Sequence, residues 1–234
     1  MLLDFHVHSS GISQCGRIPY DETIRRAKEK GLDGIVLTNH YIDDYVEKGD
    51  AAAFAARYAE EFRLAHAYGE QVGLAVLFGI ELSFNAMGRS HIKIYGVSPD
   101  FVLEHPTLYD YSPEKLYETV HAAGGILVQA HPLRRGSLVQ DLRYLDGLEM
   151  NCHPFYEGHF YEKLAPLARE HGKIVTCGSD FHGDTFRPYC GVLVPDGTDT
   201  GEKLRDYLVS AAKITLVLSE GEFDQHEEIF ERNA

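Results

Sequence analysis

The sequence predicts an α/β protein whose parallel strands close into a barrel of about seven or eight strand–helix units. Short apolar runs alternate with longer segments of helical periodicity along the 234 residues, a pattern typical of parallel strands joined by helical crossovers. Several runs are continuous in Val, Ile and Leu, as in strands buried on both faces. No linker, repeat or low-complexity stretch divides the chain, so we expect a single domain over residues 1–234.

Eight apolar runs are the candidate strands, at residues 2–7, 34–38, 74–80, 92–97, 126–130, 148–150, 174–177 and 214–218. The candidate helices lie between them, at residues 20–30, 51–69, 112–123, 156–171 and 201–212. The first helix follows Pro19 and stops at Gly31, with acidic residues early and basic residues late, which suits the helix dipole and a glycine cap. The second carries an apolar stripe, and the third begins with a serine cap and a proline. After Ser219 we expect an acidic, frayed tail.

Composition excludes several classes of function. The chain has 22 Lys and Arg against 36 Asp and Glu, a formal net charge of −14, which argues against binding of polymeric nucleic acid. No run of about 18 apolar residues predicts a membrane span, and the N-terminal segment turns polar at Asp4, too soon for a signal peptide. The four cysteines form no CxxC pair, so we expect reduced thiols in a cytoplasmic protein.

The chemistry of a β/α barrel lies at the carboxyl ends of its strands, and here six predicted strand ends carry a histidine or a carboxylate. They are His6 with His8, His40, Glu81, His131, His153, and Asp180 with His182. A spacing of two residues on a strand points both side chains to one face, so each pair can hold one metal ion. Imidazole and carboxylate together suit Zn²⁺, Mn²⁺ or Fe. Glu81 ends an apolar run, where a carboxylate needs a partner, and it can bridge two cations.

These residues resemble, in order over residues 4–182, the motifs of the PHP (polymerase and histidinol phosphatase) family of metal-dependent phosphoesterases. The matching segments are Asp4-Phe5-His6-Val7-His8, Thr38-Asn39-His40, Gly79-Ile80-Glu81, His91, Ala130-His131-Pro132 and Gly178-Ser179-Asp180-Phe181-His182. The resemblance implies a distorted (β/α)7 barrel of TIM type with two or three divalent transition metals, Zn, Mn or Fe, at its rim.

The same resemblance assigns ligands by position. His6, His8, Glu81 and Asp180 correspond to a first metal site. Glu81 would bridge to a second metal, held by His91 and His131, whereas His40 and His182 would hold a third. The family usually supplies another His or Asp to the third site shortly after the HxH pair. Here that region offers Cys15, which either coordinates as a soft thiolate or is an inert cysteine.

We therefore predict a hydrolase that cleaves phosphate esters of a small phosphorylated substrate with a metal-bound hydroxide. Glu81, Asp180 and His182 are the expected catalytic residues as well as ligands, and Arg134, His153 and Arg187 are the expected substrate contacts. Two alternatives stay open. One is an amidohydrolase-type metal hydrolase, whose barrels also open with HxH but often bridge metals with a carboxylated lysine. The other is a metal-stabilised binding module without turnover.

Overall fold

The computed structural model describes residues 1–88, 90–153, 155, 158–183, 190–220 and 224–233. In chain order the strands are β1 Leu2–Val7, β2 Gly34–Leu37, β3 His40–Tyr41, β4 Ala75–Phe84, β5 Ser90–Tyr95, β6 Ile126–Gln129, β7 Gly147–Asn151, β8 Ile174–Gly178, β9 Gly191–Leu193, β10 Lys213–Glu220 and β11 Asp224–Glu231. The α-helices are α1 Tyr20–Glu29, α2 Ala51–Val72, α3 Asp100–Glu104, α4 Pro113–Ala122, α5 Tyr161–Glu170 and α6 Gly201–Ser210. Within these described residues no helix is both long enough and apolar enough to cross a membrane.

Seven strands form a nearly closed barrel in the order β1, β2, β4, β5, β6, β7 and β8, which confirms the predicted barrel class. The barrel closes where the chain beyond β8 meets the end of β1. There Val7 and Phe181 form a parallel bridge, and the His8 amide donates to the Phe181 carbonyl at 2.9 Å. Gly178 permits this approach, because a Cβ on it would lie 2.4 Å from the Cβ of His6.

Within the seven-stranded barrel, one strand departs from the parallel pattern that the sequence predicts, and the predicted strand at 214–218 lies outside the barrel as β10. β5 runs antiparallel to both of its neighbours, β4 and β6. β4 ends at Phe84 and β5 begins at Ser90, so their connection is too short for a helical crossover and makes a hairpin instead. As a result His91 enters the rim near the start of its strand, whereas His6 lies near the end of β1 and Asp180 follows the end of β8. Glu81 lies inside β4, which continues beyond the predicted strand end to Phe84.

The C-terminal segment is ordered, contrary to the expectation of a frayed tail. β11 pairs antiparallel with β10. Glu231 lies opposite Lys213 at one end of the pairing, and Asp224 lies opposite Glu220 at the other. β10 then pairs with β9, and β9 pairs with the start of β1. The first residues of β1 therefore pair with β9, and its last residue, Val7, pairs with Phe181 just beyond β8. Most of the charged side chains of β11 are exposed to solvent, while its Phe230 is buried in the core.

Most helices agree with the sequence prediction, and the differences are at their ends. α2 extends to Val72 and stops at Gly73, whose φ of 70° is the left-handed cap that glycine favours. α4 is capped by Ser112, which accepts a hydrogen bond from the Lys115 amide. α5 begins only at Tyr161, five residues later than the predicted start at 156. The late start of α5 leaves a longer connection after the end of β7 at Asn151, and this connection carries His153.

Candidate metal centre

Four predicted ligands converge at one end of the barrel. The Nε2 atom of His6 lies 3.2 Å from Oε1 of Glu81 and 3.2 Å from Oδ1 of Asp180. The Nε2 atom of His8 lies 3.3 Å from Oε2 of Glu81 and 3.2 Å from the same Asp180 oxygen. All four side chains are buried. We call this group the first site.

The first site has the geometry of a metal pocket. Ligand bonds of about 2.0–2.1 Å in a tetrahedral zinc site place neighbouring ligand atoms about 3.3 Å apart, which matches the spacing found here. Although fully buried, the Nε2 atoms of His6 and His8 have no hydrogen-bond partner within the described part of the chain. Such atoms are costly unless something satisfies them. A divalent cation between the four side chains would do so.

Glu81 extends the first site to further histidines. Its Oε1 atom lies 2.9 Å from Nδ1 of His91 and 3.0 Å from Nε2 of His131. We call Glu81, His91 and His131 the second site, the grouping that the family resemblance implies. The ligand atoms that lie within 4.8 Å of one another around His91 are those of His40, Glu81 and His91. Oε1 of Glu81 therefore faces His6, His91 and His131, and Oε2 faces His8 and His40. This one carboxylate contacts histidines of all the predicted sites.

The remaining predicted ligands, His40 and His182, lie beside His8. Ligand atoms of these three histidines fall within 4.8 Å of one another, and the His8 and His182 rings stack at 4.2 Å. The Cys15 thiol lies nearby: burial opposes its ionisation, but hydrogen bonds with His182 and His40 lower its pKa to about 6. We call His40, His182 and Cys15 the third site. His40 also approaches Glu81, with 2.8 Å between Nδ1 and Oε2.

The backbone at the rim adopts conformations that L-amino acids seldom take. His131 and Asp180 both have positive φ, 32° and 55°, and Leu133 has φ of 72°. Such residues cost of order 1–3 kcal/mol each and cluster at functional sites. Here they turn the chain sharply at the ends of β6 and β8, so that the ligands point across the barrel mouth.

A buried carboxylate that sequence reasoning missed supports the ligands from below. Glu149 on β7 is fully buried. Its Oε1 atom lies 2.9 Å from Nδ1 of His6, and its Oε2 atom accepts the His131 amide at 2.8 Å. Lys93 on β5 donates to the same carboxylate. A charged pair in the middle of two otherwise apolar strands is the sequence signal that could have identified this support.

Asp4 and Ser13 supply two further supports outside the predicted set. Oδ1 of Asp4 accepts the amides of His6 and Ser179 at 3.0 and 2.9 Å, which fixes the turn that presents Asp180. Burial raises the pKa of Asp4 to about 7, although these hydrogen bonds oppose the shift. Ser13 Oγ lies 3.0 Å from Nδ1 of His8 and directs its Nε2 toward the first site.

The centre is a dense electrostatic network. Burial disfavours the His6 cation, but Glu149, Glu81 and Asp180 outweigh that effect and raise the pKa of His6 to about 10. Burial and the charges of His182 and His40 lower the pKa of His8 to about 3. Burial also opposes ionisation of Glu81, yet the surrounding histidines hold the pKa of its carboxyl well below the usual range. The carboxylates are therefore ready to bind a cation.

The predicted substrate contacts lie at the edge of the centre. Arg134 pairs with Asp180 through its guanidinium, and it lines a cavity of about 250 Å³ together with His91, His131 and Ser137. His153 is half-buried with its ring 6.4 Å from that of His182, and burial lowers its pKa to about 4. Arg187 falls outside the described residues. A larger cavity of about 660 Å³ lies elsewhere and includes none of the predicted ligands.

Known structures share this fold at low identity. A two-domain protein from Bacteroides vulgatus ATCC 8482, described as containing a predicted PHP-like metal-dependent phosphoesterase, matches 94% of this chain with 17% identity and a TM-score of 0.60. This chain spans 58% of that protein. A protein from Bifidobacterium adolescentis ATCC 15703, whose name proposes a metal-dependent phosphoesterase, matches 88% of this chain and 95% of its own, with 18% identity and a TM-score of 0.56.

A third similar structure carries a different name. An amidohydrolase from Chromobacterium violaceum, solved with bound sulfate and no metal, matches 86% of this chain and 90% of its own, with 20% identity and a TM-score of 0.50. No curated protein matches the sequence. The family model described as PHP domain matches residues 4–175, which include every predicted ligand except Asp180 and His182. The chain therefore belongs to the PHP domain family.

Proposed function

We propose that the chain is a metal-dependent phosphoesterase that hydrolyses a small phosphorylated substrate at a two- or three-metal centre. The observation that carries the proposal is the position of Glu81 between two groups of histidines. Its Oε2 atom lies 3.3 Å from His8 and 2.8 Å from His40, and its Oε1 atom lies 3.2, 2.9 and 3.0 Å from His6, His91 and His131. A single carboxylate so placed links adjacent cation sites.

The residues of each site have separate tasks in this proposal. His6, His8, Glu81 and Asp180 would hold one metal, and Glu81, His91 and His131 a second. Cys15, His40 and His182 would hold a third, with the thiolate favouring Zn²⁺ or Fe²⁺ over Mn²⁺. Metal ions bound there supply activation of water and neutralisation of phosphoryl charge. Glu81, Asp180 and His182 are the proposed catalytic residues, because as ligands they would fix the positions of the metal ions.

Arg134 and His153 are the proposed substrate contacts. Arg134 already pairs with the carboxylate of Asp180, so its guanidinium is held at the rim, where a phosphate can accept bidentate hydrogen bonds. His153 has a lowered pKa of about 4 and is therefore neutral near pH 7. A neutral imidazole can donate a hydrogen bond to the leaving group or accept one from the substrate.

The structure favours a phosphoesterase over the amidohydrolase alternative through Lys93. An amidohydrolase-type centre often uses a carboxylated lysine as its metal bridge. Lys93 is fully buried on β5, but its ammonium group pairs with Glu149 and lies 5.4 Å from the centre of the Tyr95 ring. A lysine engaged as a cation in this way is not available as a carbamate, whereas Glu81 already occupies the bridging position.

The decisive experiment measures product release with defined metals. Protein stripped of metal is resupplied with Mn²⁺, Zn²⁺, Fe²⁺ or Mg²⁺ and incubated with phosphomonoesters and phosphodiesters, among them mononucleotides and histidinol phosphate. Amide and lactone substrates are assayed in parallel. We expect metal-dependent hydrolysis of at least one phosphate ester.

Two other outcomes would contradict the proposal. Turnover of amides or lactones without turnover of phosphate esters would assign the centre to the amidohydrolase alternative. Bound metal without hydrolysis of any substrate would support a binding module.

None of the four cysteines, all of them within the described residues, forms a disulfide, which is compatible with the cytoplasmic location that we propose for the enzyme.

A further inference from the structure

Three buried cysteines form a second cluster of metal-binding side chains, apart from the Glu81 centre. Cys152 follows β7, Cys177 lies on β8 and Cys190 immediately precedes β9. Their Sγ atoms all lie within 4.8 Å of one another, and those of Cys152 and Cys177 are 3.6 Å apart. Cys177 and Cys190 are fully buried, and Cys152 is 9% exposed. We call these residues the thiol cluster.

The thiol cluster lies on the side of β8 that faces β10. The amide of Ser219 donates to Sγ of Cys152 at 3.4 Å, and Sγ of Cys177 donates to the carbonyl of Val217 at 3.5 Å. No residue of the cluster belongs to the three sites around Glu81. Any ion bound here would therefore be independent of the proposed hydrolysis.

The geometry of the thiol cluster suits ligation by sulfur. Metal–thiolate bonds of about 2.3 Å in a tetrahedral site place neighbouring sulfur atoms about 3.8 Å apart, close to the separation of Cys152 and Cys177. Hydrogen bonds with Cys177 and Cys190, together with the Ser219 amide, hold the pKa of Cys152 well below its usual range, whereas burial raises the pKa of Cys177 and of Cys190. The three sulfur atoms are thus close enough together to ligate one cation, whose binding would displace the thiol protons.

We propose that the thiol cluster is a further metal site, which binds a thiophilic cation of the Cu⁺ or Zn²⁺ class through the thiolates of Cys152, Cys177 and Cys190. Each thiol releases its proton to solvent as its bond to the cation forms. Because the ligands come from three different elements, the bound ion would fasten β9 and the end of β7 to β8.

His159 distinguishes the two cations. It is 7% exposed, and its Nε2 atom lies 3.0 Å from Oε1 of Glu220. Zn²⁺ prefers four ligands, and His159, whose ligand atoms lie outside the group of three sulfur atoms, could supply the fourth only by leaving Glu220. Cu⁺ is satisfied by thiolates alone, so a His159→Gln variant should weaken binding of Zn²⁺ and leave binding of Cu⁺ unchanged.

The test reads sulfur ligation directly. Reduced, metal-free protein carrying Cys15→Ser, which removes the thiol at the third site, is titrated anaerobically with Cu⁺ from a chelate and, separately, with Cd²⁺ as a spectroscopic substitute for Zn²⁺. We expect sulfur-to-metal charge-transfer absorption whose final amplitude corresponds to one sulfur-ligated ion per chain. The absorption should persist when Glu81→Ala is added, and it should be lost when Cys177→Ala or Cys190→Ala is added.

Absence of the charge-transfer band in the Cys15→Ser protein would overturn the proposal and leave the three cysteines as apolar core residues. A band of full strength in either cluster variant would overturn it as well. Far-ultraviolet circular dichroism identifies which of the two cluster variants is folded and can be compared. Because the readout is spectroscopic, failure of the hydrolysis assay has no bearing on it.

Discussion

The carboxylate of Glu149 lies 2.9 Å from Nδ1 of His6, entirely out of contact with solvent. This contact fixes the ring so that the other nitrogen, Nε2, faces Glu81 and Asp180. Carboxylate–histidine pairs of this kind orient a ligand and increase its basicity. Glu149 therefore orients His6 at the candidate metal centre without offering an oxygen as a ligand itself.

Replacing Glu149 by Gln should lower metal affinity by about 10-fold to 100-fold, the usual effect of losing such a support. The fold should survive, because the amide has the same shape and can still contact Lys93. Chelator competition measures the change. Glu162→Gln, on the exposed face of α5, is the matched control and should bind metal like the wild type. Equal affinity in both variants would show that Glu149 only fills space.

The Glu81→Ala variant should lose hydrolysis and bind fewer metal ions than the wild type, because Glu81 contributes to both the first and the second site, whereas the thiol cluster does not depend on it. Metal content by elemental analysis and phosphate release are measured on the same sample. A variant that retains hydrolysis and the wild-type metal content would show that the bridging assignment is wrong. Glu118→Ala, an exposed change on α4, controls for loss of a carboxylate.

The Arg134→Gln variant should lower kcat/KM for a phosphate ester by about 10-fold to 100-fold, the range for loss of a hydrogen bond to a charged group. Metal content should remain, since Arg134 contacts Asp180 but offers no ligand atom. Arg143→Gln removes the same charge from a side chain that is 78% exposed and should leave kcat/KM unchanged. An unaltered kcat/KM in Arg134→Gln would remove this residue from the substrate site.

The Cys15→Ser variant should bind one metal ion fewer than the wild type, because serine is a poor replacement for a thiolate beside His40 and His182. The two ions at Glu81 should remain. Elemental analysis of zinc-loaded proteins gives the difference between the two stoichiometries. An identical count would assign Cys15 to the inert alternative.

Metal affinity should rise with pH. The pKa of His6 is raised to about 10 in the metal-free centre, so His6 carries a proton near pH 7 that a metal ion must displace. His40, with a pKa raised to about 10 by Glu81 and Cys15 against the effect of burial, behaves alike. Between pH 7 and 10 the affinity should gain about tenfold per pH unit for each displaced proton.

Calorimetric titrations in buffers of different ionisation enthalpy count those protons. Metal binding without proton release at pH 7 would contradict the raised pKa values. His66→Gln provides a control, because His66 lies on α2, outside the centre, and its loss should leave the proton count unchanged.

The spacing of the motifs was sufficient to predict which histidines and carboxylates lie together at the candidate metal centre. His6 and His8 alternate on one strand, and a strand exposes every second side chain on the same face, so their joint orientation follows from local geometry. Glu81 ends an apolar run and must lie where its charge is compensated. Both inferences need only the strand that carries the residue, and the barrel that places those strands around one axis was predicted from the alternation of strands and helices.

The supporting residues could not be found in the same way. Lys93 and Glu149 are separated by 56 positions, and nothing local to either one indicates that they meet. Their contact depends on the register of β5 against β6 and of β6 against β7. The antiparallel direction of β5 and the pairing of β11 with β10 are likewise products of strand order.

The sequence by itself determined the barrel class, the family and the side chains that can bind metal, because each rests on residue type, order and short-range periodicity. Only the tertiary structure decided which oxygen of Glu81 faces which histidine and how Glu149 fixes His6. It also decided that three cysteines far apart in the chain lie together in the core. Those relationships arise between strands far apart in the chain. They are set by strand register and by close packing, which local sequence does not encode.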